Sequence, residues 1–140
     1  MRKYIISFFI AVLTIHNVHA QYSNDIKIET LLKTDTTSVG QKISYPNVEH
    51  AEVTVFRITM NPGASTGWHK HGIPLFAYIL QGELTVERDG GLVNLYKTGE
   101  AVSEMQHIYH QGINKGKEPT ILIAFYLGGD NRPLVTRKEN

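Results

Sequence analysis

Short runs with an apolar residue at every second position, each closed by a Gly, Pro, Asn or Asp turn, constrain this chain most. They recur at roughly 8–12-residue spacing. Glu52–Met60 sets Val53, Val55 and then Phe56, Ile58 and Met60 at period 2, and Asn61-Pro62-Gly63 closes it. Leu75–Leu80 is a short, nearly all-apolar run that ends at Gln81-Gly82. Glu83–Arg88 alternates again, and Asp89-Gly90-Gly91 is a hairpin signal leading into Leu92–Tyr96. Ala101–Met105 follows the turn at Lys97–Glu100, and Thr120–Leu127 reads as a buried strand. Ile26–Leu32 begins as an alternating segment before Thr34–Pro46, which is rich in Thr, Ser and Gly and reads as loop. No stretch carries a helical period. The pattern predicts an all-β sandwich, jelly roll or barrel.

The first twenty residues stand apart from this pattern. Arg2 and Lys3 precede the apolar run Tyr4–Ile15, and Val18-His19-Ala20 offers small residues three and one positions before a cut. That is the form of a cleaved signal peptide spanning 1–20, because twelve apolar residues are short for a bilayer span. The expected mature protein, 21–140, is a single domain working outside the cytoplasm, periplasmic or secreted, with no membrane attachment after cleavage. Without Arg2 and Lys3 it keeps 12 basic and 13 acidic residues, so a charge-driven nucleic-acid partner is not expected. The chain has no cysteine. Disulfides, thiolate nucleophiles and Cys-ligated metals are therefore excluded, and any metal must be held by His, carboxylate, carbonyl or water.

Five histidines remain after the leader, and three lie in a suggestive order. His69 and His71 are separated by one residue, so in an extended chain they point to one face about 7 Å apart at the backbone. His110 belongs to a later strand. Of the others, His107 falls in a turn near the barrel mouth and His50 reads as surface. Trp68 reads as packing, Tyr78 has the parity that faces away from the histidines, and Asn114 reads as a residue that fixes a turn.

The run Gly63-x5-His69-x-His71, reaching Tyr78–Leu84, is followed by Gly99-Glu100-x4-Met105-x4-His110-x3-Asn114. Together, over 63–114, these resemble the two signature motifs of the cupin family. The resemblance implies a double-stranded β-helix, or jelly-roll barrel. It also implies one divalent transition ion (Fe, Mn, Zn, Ni or Cu) held by His69, His71 and His110. Two departures stand out. The family's ligand glutamate would fall at Leu75 or Phe76, and neither is acidic; Met105 and His107 replace the motif's Pro and Gly.

Period 2 along Ala101–Met105 offers a replacement. With Val102 inward, Glu104 turns to the same side, and a carboxylate in an apolar interior needs a compensating cation. Glu104 is thus expected to be a metal ligand or a proton-transfer group. Two functional classes follow. One is a metal-dependent enzyme on a small molecule, an oxidoreductase of the dioxygenase kind or else an isomerase or lyase. The other is a non-catalytic small-ligand or metal-binding module. Uncovered edge strands, Ile26–Leu32 among them, further predict a homodimer.

Overall fold

The structure, a computed structural model, describes residues 25–139, so the leader read over 1–20 lies outside the described residues. Nine strands and no helix occur among them: β1 (Ala51–Met60), β2 (His69–Lys70), β3 (Leu75–Gln81), β4 (Glu83–Arg88), β5 (Val93–Lys97), β6 (Ala101–Ser103), β7 (His110–Ile113), β8 (Thr120–Gly129) and β9 (Thr136–Arg137). They form two antiparallel sheets. One has the order β1-β8-β3-β6 and the other β5-β4-β7-β2-β9. The all-β architecture expected from the alternation, and the double-stranded β-helix that the cupin resemblance implies, are what is observed.

Each strand's alternation decides which face it turns inward. Leu75, Ala77 and Ile79 of β3 and Leu122, Ala124 and Tyr126 of β8 are buried. They are paired Leu75↔Tyr126, Ala77↔Ala124 and Ile79↔Leu122. From the opposite sheet Leu84 and Val86 close the core, with Met60, Ile73, Val102 and Met105 around it. A buried aliphatic side chain contributes about 1.5–3 kcal/mol relative to exposure, which makes this period-2 pattern the main determinant of register.

The chain passes from one sheet to the other between β3 and β4 through Gly82 alone. Its φ is +78°, and a Cβ there would meet the Pro119 carbonyl oxygen at 2.8 Å. Only glycine fits so sharp a corner.

Ile26–Leu32 forms no strand. Its apolar side chains stay exposed, Ile28 at 60% and Leu31 at 56%, because no neighbouring strand pairs with it among the described residues. The homodimer cannot be argued from that segment; β1, an edge strand of ten residues, is the long edge instead. The strand expected at Leu92–Tyr96 begins one residue later, since Gly90 and Gly91, both at positive φ, carry the turn through Leu92. The strand expected over Ala101–Met105 ends at Ser103.

Candidate metal centre

Three strand segments deliver the histidines. His69 on β2 pairs directly with His110 on β7. His71, two residues on and outside the strand, bridges to Gln106. The i, i+2 spacing places both imidazoles inward as expected. Ring centroids are 4.9 Å apart for His69–His71, 4.6 Å for His69–His110 and 5.2 Å for His71–His110. One nitrogen from each ring lies within 4.8 Å of the others, and all three residues are buried. This group can hold a metal ion.

The backbone fixes which nitrogen each ring presents. His69 Nδ1 is 2.8 Å from the Gly67 carbonyl, His71 Nδ1 is 2.7 Å from that of Leu134, and His110 Nδ1 is 2.9 Å from that of Ile108. A carbonyl can only accept, so each Nδ1 carries the proton and donates it. Nε2 is therefore the nitrogen through which each ring can bind an ion once that atom is unprotonated. Orientation of ligating imidazoles by outer hydrogen bonds is a general feature of metal sites. His71 Nε2 is buried and has no hydrogen-bond partner among the described residues. An orphaned buried acceptor of this kind costs about 1–3 kcal/mol unless something fills it, and a cation fits.

Glu104 completes the cluster. Its Oε2 lies 3.1 Å from His110 Nε2 and 3.2 Å from His71 Nε2, and its side chain is only 12% exposed. The contact to His71 is close without the geometry of a hydrogen bond. A carboxylate oxygen wedged between two lone pairs is repelled unless a proton or a cation lies between them. Burial pushes the Glu104 carboxyl up, but the hydrogen bond from His110, the close contact with His71 and the charges of both rings overcome it and hold it well below the usual carboxylate range. Burial likewise lowers His110, yet its bond to Glu104 wins and its pKa is raised. His69 is different. Burial takes it down to about 4, against the Gly67 carbonyl and with the two neighbouring imidazoles adding to the fall, so it stays neutral.

The remaining expected residues sort cleanly. Asn114 is fully buried and ties a turn: Nδ2 donates to the carbonyls of Met60 and Glu118, and Oδ1 accepts from Gly116 N–H. His50 and His107 are exposed and stand outside the cluster. Tyr78 is half-buried and lines a groove with Phe76, Phe125, Leu31 and Leu32, away from the histidines. Trp68 lies beneath the Lys138 ammonium at 5.5 Å. Tyr126, which sequence reasoning did not single out, lines the metal-side cavity. Its parity with Leu122 and Ala124 was the available signal. The three orienting carbonyls carry none, because any residue supplies one.

The family model for the Cupin domain matches residues 56–126, half of the chain. The chain belongs to the cupin family. Among solved structures, this cupin is similar to an uncharacterized conserved protein with a double-stranded β-helix domain from Klebsiella pneumoniae. That match has 20% identity and a TM-score of 0.51, covering 86% of this chain and 90% of that one. A cupin-like protein from Thermotoga maritima matches at 16% identity and TM-score 0.53, over 63% and 65% of the two chains. The DMSP lyase DddQ from Ruegeria pomeroyi matches at 17% identity and TM-score 0.52, over 61% of this cupin. The match spans only 43% of the lyase's length. At these identities the likeness is one of fold. No curated protein matches the sequence.

Proposed function

We propose that this cupin holds one divalent transition ion through His69, His71 and His110, with Glu104, one residue past β6, as a fourth ligand. We propose further that it uses the ion on a small molecule, as an oxidoreductase of the dioxygenase kind. The observation that carries this reading is the convergence of three Nε2 atoms, each ring locked by an Nδ1–H···O=C bond, with a carboxylate against two of them. Nitrogen and oxygen donors without sulfur suit Fe, Mn, Zn, Ni or Cu. When bound, such an ion supplies a Lewis-acid centre with open positions for substrate. Glu104 is the only carboxylate lining the cavity among the described residues. Its Oε2 is the atom that would take or return a proton.

The test is metal analysis of the purified protein, with about one ion per chain expected. The His69→Ala, His71→Ala, His110→Ala triple variant should carry none; full occupancy there would end the reading. Oxygen uptake by the loaded protein with a panel of small acids, phenols and sugars then separates catalysis from capture. A second reading, non-catalytic capture of a small ligand, is favoured by the modest cavity of about 40 Å³. Saturable binding without turnover would select it. Work outside the cytoplasm is likewise our proposal, supported by the sequence of residues 1–20. An exported product whose N-terminus is not Gln21 would count against cleavage there.

A further inference from the structure

The cavity beside the histidines is walled mainly by Met60, Leu75, Leu84, Leu122 and Ala124, with Glu104 and Tyr126 among its few polar members. Among the other polar groups of the wall, His71 Nε2 alone is buried without a hydrogen-bond partner among the described residues, and it belongs to the metal centre described above. The three Nδ1 atoms bond to carbonyls, and Thr66 Oγ1 accepts from Gly112 N–H at 2.9 Å. Tyr126 is the remaining polar member of the wall. It is 6% exposed as a residue, its ring stands edge-on to His71 at 5.6 Å and to Phe56 at 5.5 Å, and its hydroxyl, which is not sealed from solvent, bonds to no protein group among the described residues. A tyrosine hydroxyl without a protein partner is free to donate to a bound ligand. The hydroxyl therefore has a proton to donate and nothing in the wall to receive it.

Charge sets what the receiver is. A divalent ion among three neutral imidazoles and one carboxylate leaves one net positive charge in an apolar enclosure, which is costly to bury. A single monoanion cancels it. The cavity volume of about 40 Å³ limits that anion to a few heavy atoms.

Resting on the metal-centre reading above, we propose that Tyr126 is a specificity-determining hydrogen-bond donor that selects a small carboxylate monoanion in this cavity. The hydroxyl of Tyr126 meets one carboxylate oxygen, and the aliphatic wall receives whatever apolar body the ligand carries. Neutral ligands without a free lone pair gain nothing from it.

The test uses the full mature protein loaded with Co2+, whose visible absorption reports both metal uptake and entry of a ligand. Formate and ammonia are the probes. Ammonia spends its only lone pair on the ion and cannot accept from Tyr126, whereas formate keeps an acceptor oxygen. Tyr126→Phe should take up cobalt as the wild type does, weaken formate binding about tenfold or more, and leave ammonia binding unchanged. Unchanged formate binding, or equal weakening for both probes, would overturn the role of Tyr126 while leaving the metal centre standing. A wild-type protein that takes up no cobalt would overturn the metal reading, and this inference with it. Should Tyr126→Phe fail to fold, the tyrosine Raman doublet of wild-type protein decides. It should move toward the hydrogen-bond-donor pattern on adding formate and not on adding ammonia, and no movement with formate overturns the proposal.

Discussion

The Glu104 N–H donates to the Leu75 carbonyl at 2.9 Å, which sets the two residues side by side where β6 ends and β3 begins. Leu75 or Phe76 is where the cupin motif would place its acid, and Glu104 delivers one from just past the end of the neighbouring β6. The carboxylate has moved across one strand pair, a spacing of about 4.5–5.5 Å between facing Cβ atoms.

If the two positions are equivalent, exchanging them preserves the centre. Glu104→Gln should weaken metal binding about 10–100-fold, the range for groups that tune a metal site, with circular dichroism unchanged. The exchange Leu75→Glu with Glu104→Leu should recover most of that loss in a competition titration against a chelator. Failure of the exchange, with Glu104→Gln deficient, would mean that only the β6 side can reach the ion. Unaltered affinity in Glu104→Gln would leave Glu104 as an ordinary strand residue.

The metal-free protein should be most stable near pH 6.5. His69, lowered to about 4, leaves the unfolded chain binding more protons between 4 and 6.5, so stability falls on acidification through that interval. Glu104, held below its ordinary 4.5, steepens the fall below that value. His110 acts in the other direction. Its raised pKa gives stability that is fully present below 6.5 and lost as pH climbs through the folded-state value. Urea denaturation in chelator across pH 4–9 should show a maximum with two declining limbs, and His110→Ala should remove the limb of His110 on the alkaline side. A monotonic profile would contradict these signs. Metal loading should run oppositely to the alkaline limb, rising with pH as the ion displaces the His110 proton.

Much of this was written in the sequence wherever one face of a strand is buried. Period 2 identified β1 and β4, oriented His69 and His71 together, and turned Glu104 inward, while continuous apolar runs closed by turn residues identified β3 and β8. The pattern failed at Ile26–Leu32 because alternation supplies a sidedness and not a partner. It also missed β9, whose two exposed residues are held by pairing His69↔Arg137 and Lys70↔Thr136 and by the Arg137 guanidinium donating to the Thr66 carbonyl. Tyr126 was legible as a core residue, and its place in the cavity wall emerges only when β8 lies between β1 and β3.

The edge at β1 bears on assembly. Val53 and Val55 are exposed there, and Val55 pairs with the exposed Phe125 of β8. A ten-residue edge with apolar side chains is an aggregation hazard unless covered. We therefore expect a second copy to cover it, giving a homodimer by sedimentation at micromolar concentration and above, which Val55→Lys converts to monomer without altering metal content. A wild-type mass that stays monomeric at every concentration would remove the expectation.

His107 stands where the cupin motif has glycine, and it keeps the glycine conformation, with φ +62°. The turn demands it. His107 N–H donates to the His71 carbonyl at 2.8 Å, which ties the segment before β7 to a metal-site histidine. A side chain in the left-handed region costs about 1–2 kcal/mol, though histidine tolerates it better than branched residues do. Glycine removes that strain and gives back part of the gain through a more flexible unfolded chain. His107→Gly should therefore stabilise the protein by about 1 kcal/mol, a rise of a few degrees in Tm for a domain of this size. Because the imidazole is exposed and outside the ligand group, metal content and affinity should not change. A lower Tm would show that the His107 ring makes contacts worth more than the strain it carries, and lost metal would make it part of the centre.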